Sequence, residues 1–331
     1  MAIKIKEKIQ NNFSYFFINK VRVLSLIILR LLDIRFIAKE PNEEPCKIIK
    51  EGGSLSLIPK KIWLFWHDDN FPVIVSECVD KIVKLNKGFE VILLNDSTVC
   101  NYVLDIDKYN FPEIQHKSDY IRLYVLSSYG GVWMDASIMS FKGVDLFLEE
   151  LDLYKSDFFA FFNERRTKDI SFPVLENWFL IANTGNKFIS NWLGEYRKAL
   201  EIGVINYLHE VEKNNPEFFH KISKDERPYL FNYICAQRVL REYSGSYVLW
   251  SCNDTAFYYH MTGSWRYLFF GIKTFHYSNV IKTLTLFKRP KKKPILIKLV
   301  AGDRYHINIL LEKNQYKKDT LMDIFLNGAG D

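Results

Sequence analysis

The sequence predicts an α/β protein, a Rossmann-like and mostly parallel sheet flanked by helices. Three observations carry that expectation. An apolar strand, a helix at 3.6-residue spacing and a second apolar strand follow one another over residues 58–96, the order that joins parallel strands through a right-handed crossover. A helix, a double-glycine stop and a strand ending on an acid occupy residues 117–140. Strand-like and amphipathic stretches then continue to residue 251. With 331 residues, 48% of them hydrophobic and 25% charged, the chain is long enough to bury a large core.

Residues 1–39 mix apolar and basic side chains throughout. Lys20, Arg22, Arg30, Asp33 and Arg35 interrupt the apolar run, so a membrane-spanning helix is not expected. No small-residue cleavage site follows, which argues against a signal peptide. Two readings stand: a helix lying on an anionic lipid surface, and a helix docked on the protein's own core. Residues 40–57 are polar, with two prolines and two glycines, and read as a linker. The globular domain is expected over 58–280. It opens on IPKKIWLFW, with Pro72 starting a helix whose buried stripe is Val75, Cys78, Val79, Ile82 and Val83. FEVILL (89–94) is the second strand.

In the next unit Ser118 reads as the N-cap of a helix, with Asp119 at its positive end. Gly130 and Gly131 stop that helix, and VWM leads to Asp135. Downstream, 156–164, 177–183 and 247–251 read as strands, and 186–201 and 229–243 as helices. Residues 281–331 read as a basic extension whose ILIKLV and YHINILL segments suggest a terminal hairpin.

Charge and cysteine content narrow the function classes. The net charge of +6 is concentrated in the N-terminal stretch and in KRPKKK (288–293). No nucleic-acid-binding signature accompanies these patches, so an anionic membrane surface is the expected partner rather than DNA or RNA. Cys46, Cys78, Cys100, Cys235 and Cys252 are odd in number and form no CxxC pair, which fits a reducing compartment.

Asp119 and Arg122 are three apart on one helix face and lead through the glycines to Asp135. A random Asp-x-x-Arg is usually a surface ion pair worth a few tenths of a kcal/mol. Here the position argues for more. An acid at the end of a buried strand sits where open α/β sheets bind ligands, outside the carboxyl ends of the strands. A lone carboxylate there has to be paired, solvated or metal-bound.

Taken together, IPKKIWLFW (58–66), SDYIRLYVLSSYGGVWMDAS (118–137), ENWFLIANTGNKF (176–188) and HMTGSW (260–265) resemble the family 32 retaining sugar transferases and the related capsular polysaccharide synthesis proteins. The resemblance spans roughly 58–265. It implies a GT-A fold, a UDP-sugar donor, and a glycan or lipid-linked glycan acceptor. It also implies a cytoplasmic enzyme at the inner face of the plasma membrane. By the same resemblance Trp66 would stack on the base, and Asp119 and Arg122 would grip donor hydroxyls with Ser118 beside them. Trp133 would lie near the donor, Asp135 would contact ribose and the metal, and Asn177 would face the acceptor. His260, Ser264 and Trp265 would close over the diphosphate, with His260 a second metal ligand. One departure matters. The usual Asp-x-Asp is Asp135-Ala136-Ser137 here, which puts dependence on manganese or magnesium in question, because a hydroxyl is a weaker ligand for a hard cation than a carboxylate. Cationic side chains facing the diphosphate are the alternative. Two rival functions are a toxin-like protein glycosyltransferase and an inactive sugar-nucleotide or glycan-binding protein.

Overall fold

Along the central strands, neighbouring residues bury on opposite faces of one sheet. Ile62 and Leu64 of the first buried strand join one apolar cluster while Trp63 and Phe65 join the other. Val132 and Met134 are likewise separated from Trp133, and Phe159 and Phe161 from Phe158, Ala160 and Phe162. A strand that is apolar on both faces needs helices on both faces, so a three-layer α/β architecture follows. The computed structural model describes residues 20, 24, 28, 36–52, 57–262 and 279–328.

The strands are β1 (Lys47–Lys50), β2 (Lys61–Phe65), β3 (Glu90–Leu94), β4 (Gly131–Met134), β5 (Ile138–Ser140), β6 (Phe158–Phe162), β7 (Leu175–Ala182), β8 (Tyr247–Ser251) and β9 (Leu296–Lys298). The helices are α1 (Val73–Leu85), α2 (Ile114–Tyr129), α3 (Asp145–Leu153), α4 (Lys187–Glu201), α5 (Val204–Asn214), α6 (Phe231–Glu242), α7 (Tyr258–Met261), α8 (Asn279–Thr285), α9 (Ala301–Glu312) and α10 (Leu321–Asn327). Seven strands form the main sheet in the order β1-β8-β6-β7-β4-β2-β3. Their pairings make five strands run in one direction, with β7 and the edge strand β1 reversed. The expected Rossmann-like, mostly co-directional sheet is therefore present. Helices α2, α4, α5 and α6 cover one face, and α1, α3, α9 and α10 cover the other.

The double glycine is required by geometry. Gly130 has φ +63° and Gly131 φ +102°, and a Cβ on Gly131 would stand 2.6 Å from the Lys61 carbonyl oxygen. Only glycine fits this turn. At the start of α4 the Asn186 side chain accepts from the Phe188 and Ile189 amides and caps the helix.

Several expectations are corrected. Helix α2 begins at Ile114 and not at Ser118, so Ser118 is not its cap and Asp119 is not at its positive end. In α1 the inward side includes Ile74, while Val83 is 48% exposed. The supposed linker contains β1, paired antiparallel with β8. The terminal hairpin does not form: ILIKLV supplies β9, which pairs antiparallel with β5, and YHINILL lies within α9. Leu296, Ile297, Leu299, Ile307, Leu310, Met322 and Phe325 are all buried in the cluster that also holds β2 and β4, so residues beyond 280 belong to the core. Apart from Lys20, Leu24 and Ile28, which are helical, the N-terminal amphipathic stretch lies outside the described residues up to 35.

Candidate active site

The carboxyl ends of β2 and β4 lie side by side because the two strands pair in parallel. Trp66 follows β2 and Asp135 follows β4, so both reach the same edge of the sheet. Strand β7 runs the other way and therefore delivers its beginning, Glu176 and Asn177, to that edge. The Asp135 amide donates to the Trp178 carbonyl at 2.9 Å, which locks the two segments together. Helix α2 lays Ser118, Asp119 and Arg122 across one side, and the β9–α9 junction closes the other. Between them is a cleft of about 400 Å³, within the usual size for small-molecule sites.

Arg122 is the hub of the floor and is only 4% exposed. Its Nη1 donates to Asp119 Oδ1, and its Nη2 donates to Asp135 Oδ1 at 3.0 Å and to Ser118 Oγ at 3.2 Å. The guanidinium also lies 5.1 Å from the centre of the Trp133 ring, a cation–π contact. Asn177 Nδ2 donates to Asp119 Oδ1 at 3.0 Å. Burial raises the Asp119 carboxyl above its ordinary value, with the Arg122 charge opposing that rise. Asp135 differs. Burial would raise it too, but Lys298 and Arg122, together with hydrogen bonds from Lys298 and Trp133, hold it below the usual aspartate value.

The wall opposite α2 is cationic. Lys298 Nζ donates to Asp135 Oδ2 at 2.5 Å and reaches Ser137 Oγ at 3.5 Å. Register places it there, because Lys298 pairs with Ile138 across β5 and β9. Arg304, in the first turn of α9, donates from Nη1 to Ser137 Oγ at 3.3 Å and to the Leu299 carbonyl at 3.0 Å. Its guanidinium lies 5.7 Å from the Trp66 ring centre. Neither cation was picked out from the sequence, since the pairing of β9 with β5 has no local signal. Glu176 was missed as well. It is 4% exposed and accepts from Asn163, Trp178 and Tyr233.

The structure thus gathers Trp66, Ser118, Asp119, Arg122, Asp135 and Asn177 around one cleft. Trp133 is corrected: it is fully buried beneath the floor and donates from Nε1 to Asp135 Oδ1 at 3.1 Å, so it supports the acid rather than facing a ligand. His260 is corrected too. It does not line the cleft, and its Nε2 is 2.8 Å from Oδ2 of Asp303, the same oxygen that accepts from the Val300 amide. That pairing ties α7 to the start of α9 and braces the helix that carries Arg304. Ser264 and Trp265 lie outside the described residues.

A hard divalent cation needs several oxygen ligands, carboxylates above all. Both Asp135 oxygens accept from cationic donors, and Ser137 Oγ meets Lys298 and Arg304. Among the described residues no group of three or more His, Cys, Asp or Glu is placed to hold a metal. The described residues by themselves do not fit a divalent cation.

Comparison with known proteins identifies the family. The sequence profile of capsular polysaccharide synthesis proteins matches residues 28–202, more than half of the chain, and the protein belongs to that family. The O-glycosyltransferase braB of Annulohypoxylon truncatum is 30% identical over 159 residues, which are 42% of this chain and 37% of that protein. The chain thus matches less than half the length of this curated relative. Two solved structures are loosely similar. One is the PaToxG glycosyltransferase, at 14% identity and a TM-score of 0.33 over 67% of this chain and 88% of the other. The other is an active-site mutant of LgtC, at 8% identity and a TM-score of 0.36 over 76% and 95%.

Proposed function

We propose that the protein is a glycosyltransferase that moves a sugar from a UDP-sugar to a hydroxyl of a surface glycan, with retention at the anomeric carbon. Family membership supports a role in capsule-type polysaccharide synthesis, and the curated O-glycosyltransferase relative supports sugar transfer to oxygen. The observation that carries the reading is the Asp119–Arg122–Asp135 network at the carboxyl edge of the sheet, in a cleft with Trp66 at its rim. Its polar groups hold one another in fixed orientations, the arrangement that favours positioning and electrostatic stabilisation. Asp119 and Arg122 would hold sugar hydroxyls, Trp66 the base, and Asp135 the ribose side. Asn177 would face the acceptor.

In the reaction the bond between the anomeric carbon and the diphosphate oxygen breaks, and its electron pair stays on UDP. The acceptor oxygen bonds to the same carbon and its proton passes to the departing phosphate. No side chain is assigned as a nucleophile. A panel of UDP-sugars, read by thermal shift and by UDP release, tests this. At 100 times its Kd a donor stabilises the fold by about 2.7 kcal/mol. If no UDP-sugar raises the melting temperature or releases UDP, the reading fails.

Attachment to an anionic membrane surface is part of the same proposal. No described helix is long and apolar enough to cross a membrane. The basic N-terminal stretch supplies the charge for peripheral binding. Deleting residues 1–38 should reduce co-sedimentation with phosphatidylserine vesicles, and unchanged pelleting would refute the role given to that stretch.

A further inference from the structure

We infer that Lys298, helped by Arg304, takes the place of a divalent cation at the diphosphate of the donor, so that the site works without metal. The inference rests on the nucleotide-sugar reading above and names what neutralises the leaving group.

The geometry is specific. Asp135-Ala136-Ser137 offers a carboxylate and a hydroxyl two residues apart, and the Lys298 ammonium lies between them, 2.5 Å from Asp135 Oδ2 and 3.5 Å from Ser137 Oγ. Its side chain is 9% exposed. A buried ammonium is costly unless paired, and Asp135 supplies the pair. Replacing the second acid of the motif with Ser137 removes one negative charge at the point where this ammonium enters. Arg304 adds a second cation. Among the described residues its guanidinium bonds to two neutral oxygens, those of Ser137 and Leu299, and has no carboxylate ion pair. Its charge therefore remains for an anion in the cleft. Val300 and Ala301, where α9 begins, line the same wall.

When the anomeric bond breaks, negative charge grows on the diphosphate oxygen. Lys298 and Arg304 meet it with fixed donors, and nothing has to be recruited from solution. Both residues lie beyond the segment matched by the family profile, which ends at residue 202. The device is a property of this chain's C-terminal segment.

Titration calorimetry with UDP and with uridine, each in EDTA and then with manganese, tests the assignment on the full-length protein. Wild type should bind UDP in EDTA, with at most a twofold change (about the scatter of the method) on adding manganese. Its affinity for UDP should exceed that for uridine at least about tenfold. Lys298→Met and Arg304→Gln should each weaken UDP about 10- to 100-fold and weaken uridine by a much smaller factor. Retained uridine binding shows that the variant is folded. UDP binding that needs manganese, or UDP affinity unaltered in both variants, would overturn the inference with the nucleotide-sugar reading intact. If wild type binds neither UDP nor uridine under any condition, the nucleotide-sugar reading falls and takes this inference with it.

Discussion

Asp135 is the residue where strand, helix and C-terminal segment meet. Its lowered pKa gives a signed prediction. The stability contributed by its ionic contacts is fully present above the ordinary aspartate value of 3.8 and is lost as pH falls through its lower folded value. The urea midpoints of wild type and Asp135→Asn should differ near neutrality and converge in acid; a gap that persists below that range would contradict the pairing. Lys298 is also displaced downward, because burial and the Arg304 charge draw it below the ordinary lysine value while Asp135 resists. UDP affinity should therefore weaken on the alkaline side at a lower pH than a free lysine would require. Asp119, Arg122 and Asp135 were legible in the sequence, because spacing and a strand end announce them. Lys298 and Arg304 were not, since nothing near them in the chain indicates that β9 lies beside β5.

At the scale of elements, the clearest sequence signals were glycines and buried stripes. Gly131→Ala forces a side chain against the Lys61 carbonyl at positive φ, and should destabilise by more than about 1 kcal/mol in urea unfolding; an unchanged midpoint would show that the turn relaxes. Helix α2 was placed in the sequence but its start was not, because Glu113, Ile114 and Gln115 carry no cap signal, and the attractive Ser118 is held inside the helix by Arg122. A second test concerns the approach to α6. Hydrogen bonds from Arg166 and Ser223 hold the Glu226 carboxyl down to about 2. Its contribution is complete above pH 4.5 and disappears toward about pH 2, so Glu226→Gln should flatten the acid limb of stability there. That side chain is 44% exposed to water, which keeps the effect small.

For the molecule as a whole, the two apolar clusters on opposite faces of one sheet explain why the α/β class could be read from continuous apolar strands set between amphipathic helices. The division of the chain was harder to read. Basic composition after residue 280 resembles a tail, yet Ile297, Ile307, Leu321 and Met322 are completely buried. Removing residues 281–331 should therefore leave an aggregating protein rather than a trimmed enzyme; a cooperative unfolding transition in the truncated chain would contradict this. The same segment supplies the cationic wall of the cleft, so fold and site are completed together. The central claim is that this cleft transfers sugar from a UDP-sugar with Asp135 at its floor. It is tested most directly by UDP release from the donor found in the panel, comparing Asp135→Asn with wild type per folded molecule and well below either melting temperature. The account predicts a loss of at least about 100-fold. Near-normal turnover by the folded variant would contradict it.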